Sequence, residues 1–181
     1  AMAAVLKLDA ATVEEACARH AGVWPVNYNC PGQIACAGTP EAVDALCEDV
    51  KALGGRAVKL AVSGAFHTPF MAEAESELRH ALSGMRIKTP KIPLYSDLTG
   101  DAYPPEPDRI RETIIRQVDS PVRFETVLRS MSARGARTFI EVGAGSTLSG
   151  FVKRTFTSMK IFTVTDMLSL EEAVSEAKGG H

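Results

Sequence analysis

Within its first 62 residues the chain alternates strand and helix in the order βαββαβ, and few folds accommodate that order. Ala3 to Leu8 reads as a strand. Thr12 is placed to cap a helix over Val13 to Ala21, with Glu14 and Glu15 in the first turn, where the helix dipole favours negative charge. Gly22 ends that helix, and Val23 to Tyr28 forms a second strand. In Asn29-Cys30-Pro31-Gly32 the proline fixes one backbone angle and the glycine permits a positive one, so the chain turns back into a third strand, Gln33 to Ala37. Thr39 caps a helix that starts at Pro40 and Glu41 and runs to Leu53, ahead of Gly54-Gly55. Arg56 to Val62 completes the set. The expected product is a ferredoxin-like small subdomain over residues 1–62, an antiparallel sheet with two helices on one face.

Beyond residue 62 the pattern changes. Helices are expected over Phe70 to Leu82, from an Asp108 cap to Val118, over Val122 to Arg134, Thr147 to Phe156 and Leu170 to Ala177. Strands are expected over Ile92 to Ser96, Thr138 to Val142 and Ile161 to Thr165. Pro104, Pro105 and Pro107 keep residues 99–107 a loop, and Ser120-Pro121 breaks a helix. Strands alternating with helices imply a parallel sheet covered on both faces, so the fold class is α/β with an α+β subdomain, residues 63–181 forming the parallel-sheet part. Three strands leave the edges of such a sheet open, and part of the α/β core is expected to lie outside this chain.

A formal net charge of -2 gives no basic field for nucleic acid, which is not expected as a partner. No apolar run approaches the roughly 20 residues that span a bilayer, so no membrane association is expected. The first ten residues, AMAAVLKLDA, lack the basic start and apolar core of a secretory signal, which points to the cytoplasm. Cys17, Cys30, Cys36 and Cys47 form no C-x-x-C pair, so neither a metal site nor a redox motif is expected; they read as buried free thiols.

One stretch is distinctive. KLAVSGAFHTPFM, residues 59–71, leaves a strand, breaks at Ser63-Gly64 and presents His67 just before Pro69 and a helix. A side chain on such an elbow is held rigidly and still reached, so His67 is either a catalytic histidine or a loop histidine held by a backbone hydrogen bond. His20 and His80 lie near helix ends and read as solvated; His181 ends the chain. A catalytic histidine needs a nucleophile and an orienting acceptor. No Gly-x-Ser-x-Gly elbow is present, and Ser63, Ser146 and Ser149 are weak candidates without it. Gly143-Ala144-Gly145 ahead of a helix offers backbone N–H groups to an anion, or is simply a tight turn. Gln117, Asn27 and Asn29 read locally as ordinary polar residues at a helix end and a strand end.

Four segments acquire meaning together: NYNCPGQIACAGTPEAV (27–43), VSGAFHTPFM (62–71), RQVDSPVRF (116–124) and FIEVGAGSTLSGFVKR (139–154). In this order and spacing they resemble the malonyl-CoA:acyl-carrier-protein transacylase family of bacterial fatty-acid synthesis, over about Met2 to Phe156. The resemblance implies an α/β-hydrolase-like core with an inserted ferredoxin-like subdomain. It implies a ping-pong transfer in which a serine takes malonyl from coenzyme A and passes it to the phosphopantetheine thiol of acyl carrier protein. No cofactor is implied beyond the coenzyme A thioester, which is substrate, and no metal. Carried over, His67 is the general base and Gln117 supplies the main-chain carbonyl that orients it. Asn27 and Asn29 are polar pocket residues. Phe66 is the bulky residue that leaves little room for a branch on the acyl group, a discrimination worth about 1–3 kcal/mol.

The family's Gly-His-Ser-x-Gly nucleophile segment and its carboxylate-binding arginine have no counterpart here, and Ala144 stands where the family has proline. The chain therefore resembles the C-terminal portion of the enzyme, with the N-terminal half as an expected partner and no expected activity alone. The alternatives are an acyltransferase domain of a polyketide synthase, an inactive fragment that only binds acyl carrier protein, and a stand-alone ferredoxin-like ligand-binding domain.

Overall fold

In the computed structural model, which describes residues 1–178, β1 (Met2–Leu6), β2 (Val23–Cys30), β3 (Gln33–Gly38) and β4 (Arg56–Lys59) form one sheet. Their spatial order is β2-β3-β1-β4 and every pair is antiparallel. With α1 (Ala10–Ala18) and α2 (Pro40–Ala52) this is the βαββαβ order expected. Strand periodicity decides what each face carries. Ala3, Val5, Ile34 and Cys36 alternate onto one face and bury against Val13, Ala16 and Cys17 of α1 and Val43, Leu46 and Val50 of α2. Met2, Ala35, Ala37 and Val26 form a separate buried patch on the other face, with Trp24 and Ala65 packed against it. Ala65 lies in the loop after β4, so the sheet's helix-free face carries the segment that holds His67.

Several boundaries moved for identifiable reasons. α1 begins at Ala10 because Asp9, not Thr12, is the cap: its carboxylate accepts the Thr12 N–H at 2.8 Å. β2 runs on to Cys30, leaving only Pro31-Gly32 as the turn. β4 stops at Lys59 because β1 begins at Met2, whose carbonyl takes the Leu60 N–H at 3.0 Å, and the partner strand then runs out. Thr68 caps a single 3-10 turn at Pro69–Met71 before α3 (Ala72–Ser83).

The expected strand over Ile92 to Ser96 does not join a parallel sheet. Only β5 (Tyr95–Ser96) is extended, and it pairs antiparallel with β6 (Asp101–Ala102) inside the expected loop. Gly100, at φ +72°, closes the hairpin. α4 (Pro107–Arg116) follows, and α5 (Phe124–Ala133) starts two residues later than expected. The delay has a cause: Val122 is extended beside β2, giving its N–H to Val26 and taking the Tyr28 N–H, both at 2.8 Å.

The chain divides into two compact units, Ala1–Val127 and a second from Leu128 onward. In the second, β7 (Thr138–Val142) and β8 (Lys160–Val164) pair in parallel across α6 (Thr147–Thr155), and α7 (Met167–Lys178) follows. The parallel part thus holds two strands rather than three among the described residues, within the α/β class expected. His181 lies outside the described residues. Among those described, no helix is long and apolar enough to cross a membrane.

Candidate active site

The loop after β4 is pinned on both sides of His67. Thr68 is fully buried; its hydroxyl donates to the Ala65 carbonyl at 2.7 Å and accepts the Phe70 N–H at 3.2 Å. Pro69 then starts the 3-10 turn with its φ already set. Between these anchors His67 sits at φ +62°, in the left-handed region that a non-glycine residue enters at a cost of about 1–2 kcal/mol. That conformation is held by the buried Thr68, whose hydroxyl ties Ala65 on one side of His67 to Phe70 on the other.

The acceptor for His67 is produced by the end of α4. In a continuing helix the Gln117 carbonyl would take the N–H of residue 121, but that residue is Pro121 and has none. The orphaned carbonyl accepts instead from His67 Nδ1, 50 residues away in sequence, at 2.9 Å. A carbonyl only accepts, so Nδ1 carries the hydrogen, and in the neutral ring Nε2 keeps the lone pair. The Gln117 side chain is also held: its Oε1 accepts from the Ser96 hydroxyl at 2.6 Å and the Tyr103 hydroxyl at 3.0 Å.

α3 and α4, which follow His67 and precede Gln117, are tied to each other. Arg79 of α3 donates to both oxygens of Glu112 of α4, at 2.7 and 3.0 Å. Arg111 of α4 donates to the Leu82 and Met85 carbonyls at the end of α3, at 3.1 and 2.9 Å. The Arg79 pair is exposed and contributes little alone; Arg111 adds a bond to the Leu82 carbonyl, which also takes the Met85 N–H at 3.2 Å, and reaches the Met85 carbonyl just past the helix.

One carboxylate borders the pair. Asp97 follows Ser96, and its main-chain carbonyl accepts the Arg123 N–H at 2.8 Å. Burial pushes its carboxyl above the usual range, and the nearby His67 opposes the shift.

The other expected site residues are not bonded to His67. Asn27 pairs with Ala35, which places it on the helix-free face, and its neighbours bond Val122. Asn29 falls at an irregularity in the β2–β3 register, between Tyr28 and Cys30. Phe66 is 41% exposed and lies over Gly64, where an added Cβ would stand 3.3 Å from its ring. Ser149 is buried and bonded to the Thr163 hydroxyl at 3.0 Å, and Ser63 is exposed. The helix start after Gly143-Ala144-Gly145 already has its anion: Glu141 accepts the Leu148 and Ser149 N–H groups at 3.1 and 2.7 Å. His20, expected to be solvated, is half-buried against Asp49 at 2.9 Å, whereas His80 is exposed. Cys17, Cys30, Cys36 and Cys47 are all buried, with the Cys17 and Cys36 sulfurs 3.7 Å apart. Sequence reasoning missed Ser96, Tyr103 and Asp97, which carry no local signal; Pro121, four residues after Gln117, signals only the freed Gln117 carbonyl.

Residues 1–177 match the acyl transferase domain family. The chain is 37% identical over 183 residues to the malonyl CoA-acyl carrier protein transacylase of Bacillus subtilis (strain 168), an alignment covering 98% of this chain and 57% of that protein. The malonyl CoA-acyl carrier protein transacylase of Synechocystis is 35% identical over 155 residues, 85% of this chain and 52% of its own length. The crystal structure of malonyl CoA-acyl carrier protein transacylase from Clostridium perfringens superposes with a TM-score of 0.94 at 36% identity, over 98% of this chain and 57% of that one. A malonyl-transacylase solved in complex with its type II PKS acyl-carrier protein gives 0.93 at 31% identity, over 97% of this chain and 58% of that one. The chain therefore spans between a half and three fifths of the length of these relatives. On the extent of the family match and on these relatives, this chain belongs to the acyl transferase domain family.

Proposed function

We propose that this chain is the histidine-bearing portion of an enzyme that moves malonyl from malonyl-CoA to the phosphopantetheine thiol of acyl carrier protein in cytoplasmic fatty-acid synthesis. The observation that carries the reading is the 2.9 Å bond from His67 Nδ1 to the Gln117 carbonyl, which leaves Nε2 with a lone pair and no bonded partner among the described residues.

The chemistry follows from that tautomer. His67 Nε2 takes the proton of a serine hydroxyl supplied by the portion of the enzyme that the relatives carry beyond this chain. The serine oxygen attacks the thioester carbonyl, and coenzyme A leaves as its thiol with the proton from His67. In the second half His67 deprotonates the carrier thiol, which attacks the malonyl ester and releases the serine. A neutral carbonyl holds the imidazolium without adding an anion to a pocket that must also hold the malonate carboxylate. Asn27 and Asn29 contribute polar groups to the pocket, and Phe66 limits branching of the acyl group. Residues 1–62 act as the small subdomain and 63–181 as part of the core. No cofactor beyond the thioester substrate is required.

Intact-mass spectrometry with malonyl-CoA tests this. The 181-residue chain alone should gain nothing. Mixed with the remaining portion of a relative, the partner polypeptide should gain the malonyl group and lose it to acyl carrier protein. His67→Ala in the pair should lower transfer about 10²–10⁴-fold, and Gln117→Ala should do less, because the main-chain carbonyl survives. An adduct on this chain, or full transfer with His67→Ala, overturns the reading.

A further inference from the structure

We propose that Ser96 and Tyr103 are positioning residues: through the Gln117 side chain they hold its main-chain carbonyl on His67, which makes the β5–β6 hairpin part of the catalytic machinery. This rests on the reading of Gln117 as the acceptor that orients His67.

The bond to His67 is made by a main-chain atom at a helix end, the part of a helix most prone to fray. Pro121 releases the carbonyl from the helix but does nothing to aim it. The aim comes from the other end of the same residue. Gln117 Oε1 has two acceptor sites, and two hydroxyls occupy them, Ser96 at 2.6 Å and Tyr103 at 3.0 Å. The Ser96 oxygen itself accepts the Leu98 N–H at 3.2 Å, which directs the hydroxyl hydrogen away from that bond and onto Gln117. Ser96 is 1% exposed, so water does not compete for this bond.

The hairpin is built to hold those hydroxyls. The Gly100 N–H bonds the Ser96 carbonyl at 2.9 Å, and the Tyr103 N–H bonds the Leu94 carbonyl at 2.7 Å. The Arg123 N–H, just past Pro121, reaches the Asp97 carbonyl. Hairpin and helix end are thus joined at the Gln117 side chain and again six residues further on. With backbone at one end and a doubly bonded amide at the other, Gln117 is clamped, and its carbonyl has one direction left.

The test is the tautomer of His67, read from its ¹⁵N chemical shifts in the 181-residue chain at a pH where the ring is neutral. The parent chain should show the Nδ1–H tautomer. Ser96→Ala with Tyr103→Phe should lower the ratio of that tautomer to the other by about threefold to tenfold, the effect of weakening one hydrogen bond. Tyr103→Phe alone, which removes a single oxygen from a half-buried ring, should give a smaller change in the same direction. In a Gln117→Ala background the same hydroxyl deletions should change nothing further. Equal shifts in both backgrounds, or none in the parent, overturn the clamp. A parent chain lacking the Nδ1–H tautomer overturns instead the role given to the Gln117 carbonyl, so the two failures are distinguishable.

Discussion

Trp24 of β2 and Phe70 of the turn after His67 meet edge to face, with ring centroids 5.3 Å apart and planes at 84°. The contact fastens the far side of the His67 loop to the sheet that carries its near side through Ala65. Phe70 remains 55% exposed, so little of its value comes from buried area. The geometry instead places the positive edge of one ring on the negative face of the other. A double-mutant cycle with Trp24→Leu and Phe70→Leu in urea should return a coupling of about 0.5–1.5 kcal/mol. Strict additivity would mean that the rings merely lie near each other.

His67 stores backbone strain that is separable from its chemistry. Alanine at φ +62° carries the left-handed penalty of about 1–2 kcal/mol. Glycine escapes that penalty but gives about 0.4–1 kcal/mol back through its freer unfolded chain. The difference leaves His67→Gly more stable than His67→Ala by about 0.5–1 kcal/mol, although both lack the imidazole. Urea melts of the two variants check this. Equal stability would mean that the loop relaxes out of the left-handed region once the ring is gone.

The βαββαβ element order up to Lys59 was legible because its signals are local. Thr39 before Pro40 marks a helix start and Pro31-Gly32 a turn, and each depends on its own neighbours. The β5–β6 hairpin was not legible, because strands of two residues have no periodicity to detect. At Val122 the helical pattern lost to a pairing with β2, a partner almost a hundred residues earlier. The site divides in the same way. His67 stood out through its loop and Gln117 through a resemblance. Ser96 and Tyr103 are an ordinary serine and tyrosine until the fold sets them on the Gln117 amide.

Gly38 and Gly100 both admit close approach, and the kind of neighbour ranks them. A Cβ on Gly38 would lie 2.0 Å from the Gly22 carbonyl oxygen and 2.7 Å from Val23 Cα, backbone atoms of the adjoining strand that cannot swing aside. A Cβ on Gly100 would lie 2.5 Å from Thr126 Cγ2, a methyl that rotation can move, and 2.7 Å from Thr126 Cβ, which rotation leaves in place, and its φ of +72° adds strain. Gly38→Ala should therefore cost about 3 kcal/mol or more, the upper end of the overpacking range, and Gly100→Ala about 2–3 kcal/mol, the left-handed penalty plus a partly relieved clash. Adding Thr126→Ser, which removes the clashing methyl, should recover part of the Gly100→Ala loss and none of the Gly38→Ala loss. The reverse ranking in thermal melts would count against this account.

Asp97 makes the stability of the first unit depend on pH with a sign opposite to that of most carboxylates. Its folded value is raised, chiefly by burial. Above the ordinary aspartate value of about 3.9 the unfolded chain has already released this proton while the folded chain still holds it. The unfolded state then binds fewer protons, and stability falls as pH rises. The contribution is fully present below the ordinary value and is lost by the time pH has passed the folded one. Asparagine has nearly the same shape and no proton to lose. Asp97→Asn should therefore be more stable than the parent at pH 7, with the advantage shrinking as pH falls toward 4. Urea midpoints of the two proteins across that range decide it. An advantage that is flat with pH would place the effect in hydrogen bonding. One that grows on acidification would mean that attraction to His67, not burial, dominates the carboxyl.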